Sequence, residues 1–257
     1  MTTAALLALG KSIFFDGLGI LVSILLLSRK AGAPAPVISF RKMKGVDLVL
    51  AGILFLGVQL LPLFFWNSDS LLLGLLYAWI AGTLAWLWLG WREGSYLPRR
   101  KATPNCQIQS FGAAFSCYLF AVPGLLGVWD LNEILVQNLT GEAPIQGIAA
   151  GMTELPILQF VAVILFAILT QPLLEEGLFR GYLWRFLAGH SEWGPRRALL
   201  FSSLVFALAH EWTVFLPVFY LGLLFGWVYW RSGKLRYAFA LHAAHNALAT
   251  SILFFSS

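Results

Sequence analysis

Leu173-Leu174-Glu175-Glu176-Gly177-Leu178-Phe179-Arg180 sets two adjacent carboxylates and an arginine at the end of a long apolar run. Each charge at the centre of a membrane helix carries an apparent insertion penalty of roughly 2.5 to 3.5 kcal/mol. Three unpaired charges would cost on the order of 8 to 10 kcal/mol, which rivals the stability of an ordinary domain. They must therefore be paired, protonated, or turned toward a wet cavity.

The surrounding chain shows that the run is membrane sequence. Of 257 residues 59% are hydrophobic and only 11% charged, with a mean hydropathy of +0.79. A soluble domain could not hide so much apolar surface, and a β-barrel would need short alternating strands. The composition predicts an all-α, polytopic transmembrane bundle. Apolar segments run over Leu6–Leu27, Val46–Phe65, Leu71–Trp91, Phe111–Val128, Leu155–Leu174, Ala198–Glu211, Phe215–Trp230 and Tyr237–Phe255, about eight in all. The sixth is short against the ~20 residues a spanning helix needs.

Basic residues orient the bundle. Arg29, Lys30, Arg41, Lys42 and Lys44 follow the first segment, and Arg92, Arg99, Arg100 and Lys101 the third. Arg180, Arg185, Arg196 and Arg197 follow the fifth, and Arg231, Lys234 and Arg236 the seventh. Lys11 alone falls outside this pattern, while the even loops carry Asp69, Asp130, Glu133, Glu142 and Glu154. Lys and Arg concentrate on the cytoplasmic side, so both termini are expected on the non-cytoplasmic side, in a plasma or inner membrane. The net charge of +5 is then a topology signal and no nucleic-acid footprint. Ala31-Gly32-Ala33 resembles a cleavage site, but no basic stretch precedes the first apolar run, so a retained first helix is expected.

Cys106 and Cys117 imply neither a disulfide framework nor a metal centre. Trp91, Trp129, Trp184 and Trp230 read as interfacial anchors. The acidic stretch from Trp129 to Glu154, with Gly141, Pro144 and Gly147, reads as a long loop. It separates residues 1–150, an accessory set of helices, from residues 151–257, which hold the candidate chemistry.

Three polar patches lie in that second part. Glu176 and Arg180, four apart with the acid first, suit a salt bridge on one helix face. Glu175 is turned about 100° from Glu176 and so is available for other work; Pro172 suggests a kink just before it. Phe206 and His210 share a face at the same spacing, although a lone histidine at a helix end is more often structural than catalytic. His242, His245 and Asn246 lie on one face of a helix, and Ala243 and Ala244 beside them also suit close helix packing.

Depth tests whether these patches can meet. If the fifth helix continues past Leu174 to the basic boundary near Arg185, Glu175 lies about 15 Å inward at 1.5 Å per residue. The same rise puts His210 about 20 Å and His242 about 12 Å from their nearest basic residues. All three depths fall near the middle of a core ~30 Å thick. The competing placement ends the helix at Leu174 and leaves Glu175 at the membrane surface.

The ordered set Glu-Glu-x-x-x-Arg (Glu175, Glu176, Arg180), Phe-x-x-x-His (Phe206, His210) and His-x-x-x-Asn (His242, Asn246) resembles the signature of the CAAX prenyl protease and bacteriocin-processing family, also called Abi, of intramembrane proteases. The resemblance covers about Leu155 to Ser257; His245 lies outside its minimal pattern. It implies a glutamate-dependent intramembrane endopeptidase with a cavity open to the cytoplasm. Its substrates would be membrane-associated or lipid-modified peptides, and its surroundings membrane lipids. The family includes enzymes that trim the last three residues from prenylated CAAX proteins, and members that act on other peptides.

Residue chemistry supports that implication on its own terms. A carboxylate taken out of water becomes a better proton acceptor near neutral pH, which suits Glu175 as general base. His210 would position or help deprotonate the attacking water, and His242 with Asn246 could donate to the developing oxyanion. Glu176, Arg180 and Phe206 would support the site. No cofactor is required. Zinc is the minor alternative, since His210, His242, His245 and a glutamate are ligand types, but no His-Glu-x-x-His motif is present. An ion-coupled transporter and a peptide-binding or immunity protein without hydrolysis are the other classes that these residues admit.

Overall fold

The structure is a computed structural model, and it describes residues 17–19, 21, 44–53, 71–93, 108–141, 156–189 and 194–256. Most of Leu6–Leu27, the Ala31-Gly32-Ala33 stretch, Cys106, Asp69, Glu142, Pro144, Gly147 and Glu154 lie outside the described residues. Among the described residues regular structure is helical throughout. Helix α1 covers residues 45–53, α2 Leu71–Glu93 and α3 Phe111–Thr140. Helix α4 runs unbroken over residues 157–189, followed by α5 Gly194–Leu208, α6 Phe215–Ser232 and α7 Leu235–Ser256. The chain is a helical membrane protein. Three stretches are long and apolar enough to cross a membrane by length and composition: Phe111–Thr140, Gln159–Gly189 and Trp212–Ser232.

Two compact units divide the chain, each drawn from three separate segments. One contains α3, the end of α5 from Ser203, and α6; the other contains α1, α2, α4, the start of α5 and α7. Contacts thus group the chain differently from a cut at residue 150.

In the second unit, α2 and α7 both pack on α4. Ala51, Ala85, Leu89 and Tyr182 form a buried cluster there, with Leu48, Trp86, Trp88, Leu178 and Phe186 against it. Gly82 eases the approach of α2 to α4: a Cβ there would stand 3.1 Å from Leu174 Cδ1, and that side chain would have to shift by a few tenths of an ångström. Gly177 lies against the Trp86 ring, next to the glutamate pair. On the outer side of α4, Val161, Leu165, Leu169 and Leu173 are exposed at four-residue intervals, a stripe suited to lipid. At the other end of this unit Arg92 Nε lies 2.6 Å from Asp47 Oδ1, and Asp47 also caps α1 by accepting from Lys44 N at 2.8 Å. The start of α1 and the end of α2 therefore meet, as an antiparallel pair requires.

In the first unit α3 packs along α6. Ser110 starts α3 by accepting from Ala113 N at 3.1 Å. Gly141 ends it in the left-handed region at φ 79°, where a side chain would be strained. The stretch expected as a loop from Trp129 is therefore helix as far as Thr140. Hydropathy falls at Asp130 and Glu133, but nothing breaks the helix until Gly141, and Asn132 and Val136 turn inward to be buried.

The tryptophans divide. Trp91 and Trp129 are exposed, as anchors should be, whereas Trp184 and Trp230 are buried. Those two are core residues of their units, because they lie on the faces that their helices pack. Cys117 is a buried thiol on α3.

Candidate active site

Helix α4 changes its winding twice around the glutamates. Regular α-helix over Ile157–Leu165 gives way to a π-helical stretch, Phe166–Thr170. One α-turn, Gln171–Glu175, leads into a second π stretch, Glu176–Trp184, before Arg185–Gly189 closes the helix. Local π turns inside α-helices occur often at functional sites because they re-aim side chains and release backbone groups. Glu175 stands at the second junction and Glu176 opens the π stretch. The helix therefore continues past Leu174, as the deep placement of Glu175 requires.

Release of a backbone group can be followed atom by atom. The Gln171 N–H bonds back five residues to Phe166 O. The next bond in that register would run from residue 172 to Ala167 O, but Pro172 has no N–H. Ala167 O instead accepts from Asn246 Nδ2 of α7 at 2.8 Å. Proline and π turn together provide the seat for one of the residues that the motifs single out.

Four side chains form a buried cluster in this unit. Arg180 Nη1 donates to Glu176 Oε1 at 2.9 Å. The same oxygen lies 2.9 Å from His242 Nδ1. A carboxylate oxygen only accepts, so His242 carries a proton on Nδ1 and turns Nε2 outward from Glu176. That Nε2 lies 3.7 Å from Glu175 Oε2, beyond a direct hydrogen bond. The other oxygen of Glu175 accepts from Gln171 Nε2. Glu176 is 0% exposed, Arg180 1%, His242 5% and Glu175 6%. Such burial of an ion pair is tolerable only with good geometry and further hydrogen bonds, which Glu176 obtains by serving two donors. Its second oxygen is buried with no hydrogen-bond partner among the described residues.

His242 and Asn246 both turn toward α4, so these two share the face that their spacing predicts. His245 is half-buried between them and its role stays open. Among the described residues no group of three His, Cys, Asp or Glu side chains is arranged to hold a metal ion.

Phe206 and His210 belong to the other unit. Phe206 is 2% exposed and its ring centroid is 4.7 Å from that of His210. His210 Nδ1 lies 2.8 Å from Phe206 O. A carbonyl accepts, so Nδ1 holds a proton. The chain leaves α5 through Ala209 and His210 and enters a short 3₁₀ turn, Trp212–Val214.

Two devices that sequence reasoning missed hold this turn. Asn132 of α3, 1% exposed, donates from Nδ2 to Thr213 O at 2.7 Å and accepts from Leu216 N at 3.3 Å. It thereby satisfies a carbonyl of the turn and an otherwise orphaned N–H of the first turn of α6. Gly222 of α6 admits the other side: a Cβ there would stand 3.1 Å from Ser203 Cβ and 3.2 Å from Phe206 Cδ1. A polar residue spaced among apolar ones was the available signal for Asn132.

Residues 157–248 match the family described as Rce1-like, type II CAAX prenyl endopeptidase Rce1-like. The resemblance read from the three motifs is thus borne out over the stretch that holds Glu175, Glu176, Arg180, Phe206, His210, His242 and Asn246. In this part the chain is similar to the CAAX intramembrane proteases. No curated protein and no solved structure matches it.

Proposed function

We propose that the chain is an intramembrane endopeptidase that hydrolyses a peptide bond with a water activated by Glu175, in a cavity open to the cytoplasm. One observation carries this reading: Glu175 Oε2 faces His242 Nε2 across 3.7 Å, while Glu176 holds the far side of the same imidazole. A carboxylate and a ring nitrogen are thereby aimed at one place from two helices, each braced from behind. The family match, which implies a peptidase, supports it.

Glu175 takes a proton from water, and the resulting hydroxide oxygen bonds to the peptide carbonyl carbon. The carbonyl oxygen becomes an oxyanion. Asn246 donates one amide hydrogen to Ala167 O and has a second to offer that oxyanion. His242 can donate from Nε2 only when that nitrogen is also protonated. Glu175 then returns its proton to the leaving nitrogen as the C–N bond breaks.

The substrate proposed is a membrane-associated protein with a prenylated C-terminal CAAX sequence. Purified protein in liposomes is given a quenched peptide ending in a prenylated cysteine and three residues, and the same peptide without the prenyl group. Cleavage after the prenylated cysteine, unchanged by a strong chelator, is expected. Chelator-sensitive cleavage restored by zinc would replace this mechanism with the metal one. Binding of the peptide without cleavage would assign the site to a peptide-binding protein.

A further inference from the structure

Gln171 belongs to no motif in the sequence, yet it donates a hydrogen bond to the carboxylate of Glu175. It stands one α-turn before Glu175 and donates from Nε2 to Glu175 Oε1. With Glu175 ionised, as a base must be, the amide cannot be turned over, because Oε1 would then face a carboxylate oxygen, acceptor against acceptor. The orientation is therefore fixed, and it leaves Gln171 Oε1 buried from water with no hydrogen-bond partner among the described residues.

That unpaired oxygen bears on the purpose of the residue. A buried amide oxygen without a donor lowers stability, and an apolar side chain of similar length would relieve the loss. Packing alone does not account for glutamine here. What glutamine supplies and methionine cannot is the N–H that restrains Glu175 Oε1 and leaves Oε2 as the oxygen facing His242 Nε2.

We infer that Gln171 is a positioning residue for Glu175, which assigns one carboxylate oxygen to be held and the other to take the proton. The inference rests on the proposed role of Glu175 as base. Gln171 trades stability for the aim of that base, as site residues commonly do.

The test compares wild type, Gln171→Met and Glu175→Gln as full-length protein in liposomes, using the quenched prenylated peptide, with thermal melts in detergent alongside. Gln171→Met is expected to lower kcat by about 10- to 100-fold, the loss of one hydrogen bond to a charged group, with KM within about two-fold. Its melting temperature should equal or exceed that of wild type. Wild-type kcat in Gln171→Met would overturn the inference. So would a melting temperature several degrees lower, which marks a structural role and is read without any substrate. If Glu175→Gln cleaves normally, the base assignment itself has failed; if Glu175→Gln is dead and Gln171→Met is normal, only the role of Gln171 has failed.

Discussion

His242 of α7 and Glu176 of α4, 66 residues apart, meet at 2.9 Å through Nδ1 and Oε1. The glutamate that spacing pairs with Arg180 is thus shared. One carboxylate oxygen serves a guanidinium on its own helix and an imidazole on another, so the second glutamate of the pair orients the site as well as balancing charge.

Glu176→Gln withdraws the charge that both partners use. It takes from Arg180 the carboxylate it bonds while Glu175 still acts on it electrostatically, so the cost should approach, at most, the about 3–5 kcal/mol of removing one member of a buried pair. Arg180→Met should cost less, because Glu176 keeps His242. Thermal melts in detergent rank the two variants, and equal melting of Glu176→Gln and wild type would contradict the shared carboxylate.

Asn132→Leu removes two hydrogen bonds from the turn that follows His210. A loss of about 2–3 kcal/mol is expected from the unpaired Thr213 carbonyl and Leu216 N–H. Hydrogen exchange should rise first in residues 209–216 and leave α7 unchanged. Protection of that turn at wild-type level would show that Asn132 does not hold it.

Asn246→Ala leaves Ala167 O without its donor and should lower both stability and kcat, the latter by about 10²–10³-fold for a lost oxyanion donor. The two effects separate in a double variant. Pro172→Ala returns an N–H to α4, so Pro172→Ala with Asn246→Ala should recover melting temperature but not turnover. Recovery of turnover as well would make Asn246 a purely structural residue.

Legibility in the sequence followed the physics of each feature. Glu176 with Arg180, and His242 with Asn246, could be read because a helix places residues four apart on one face whatever surrounds them. The continuation of α4 past Leu174 followed from the cost of charge and the position of the next basic residues. The end of α3 did not, because hydropathy declines at Asp130 while the backbone is stopped only by Gly141. The π turns were hidden, since a shift from four- to five-residue hydrogen bonding leaves no mark in composition; Pro172 was their one visible trace. Gln171 and Asn132 are single amides in apolar helices; Gln171 takes its meaning from Glu175 one turn on, and Asn132 from Thr213 and Leu216 across the fold. Trp184 and Trp230 were misread as anchors because tryptophan suits both an interface and a core.

The central claim is that Glu175 is the base. Its most direct measurement is turnover of the quenched prenylated peptide by Glu175→Gln, which keeps shape and hydrogen bonding but gives up the proton-accepting carboxylate. The variant should melt close to wild type and show kcat reduced by at least about 10²-fold, the lower range for loss of a general base. Wild-type turnover by a folded Glu175→Gln would contradict the account.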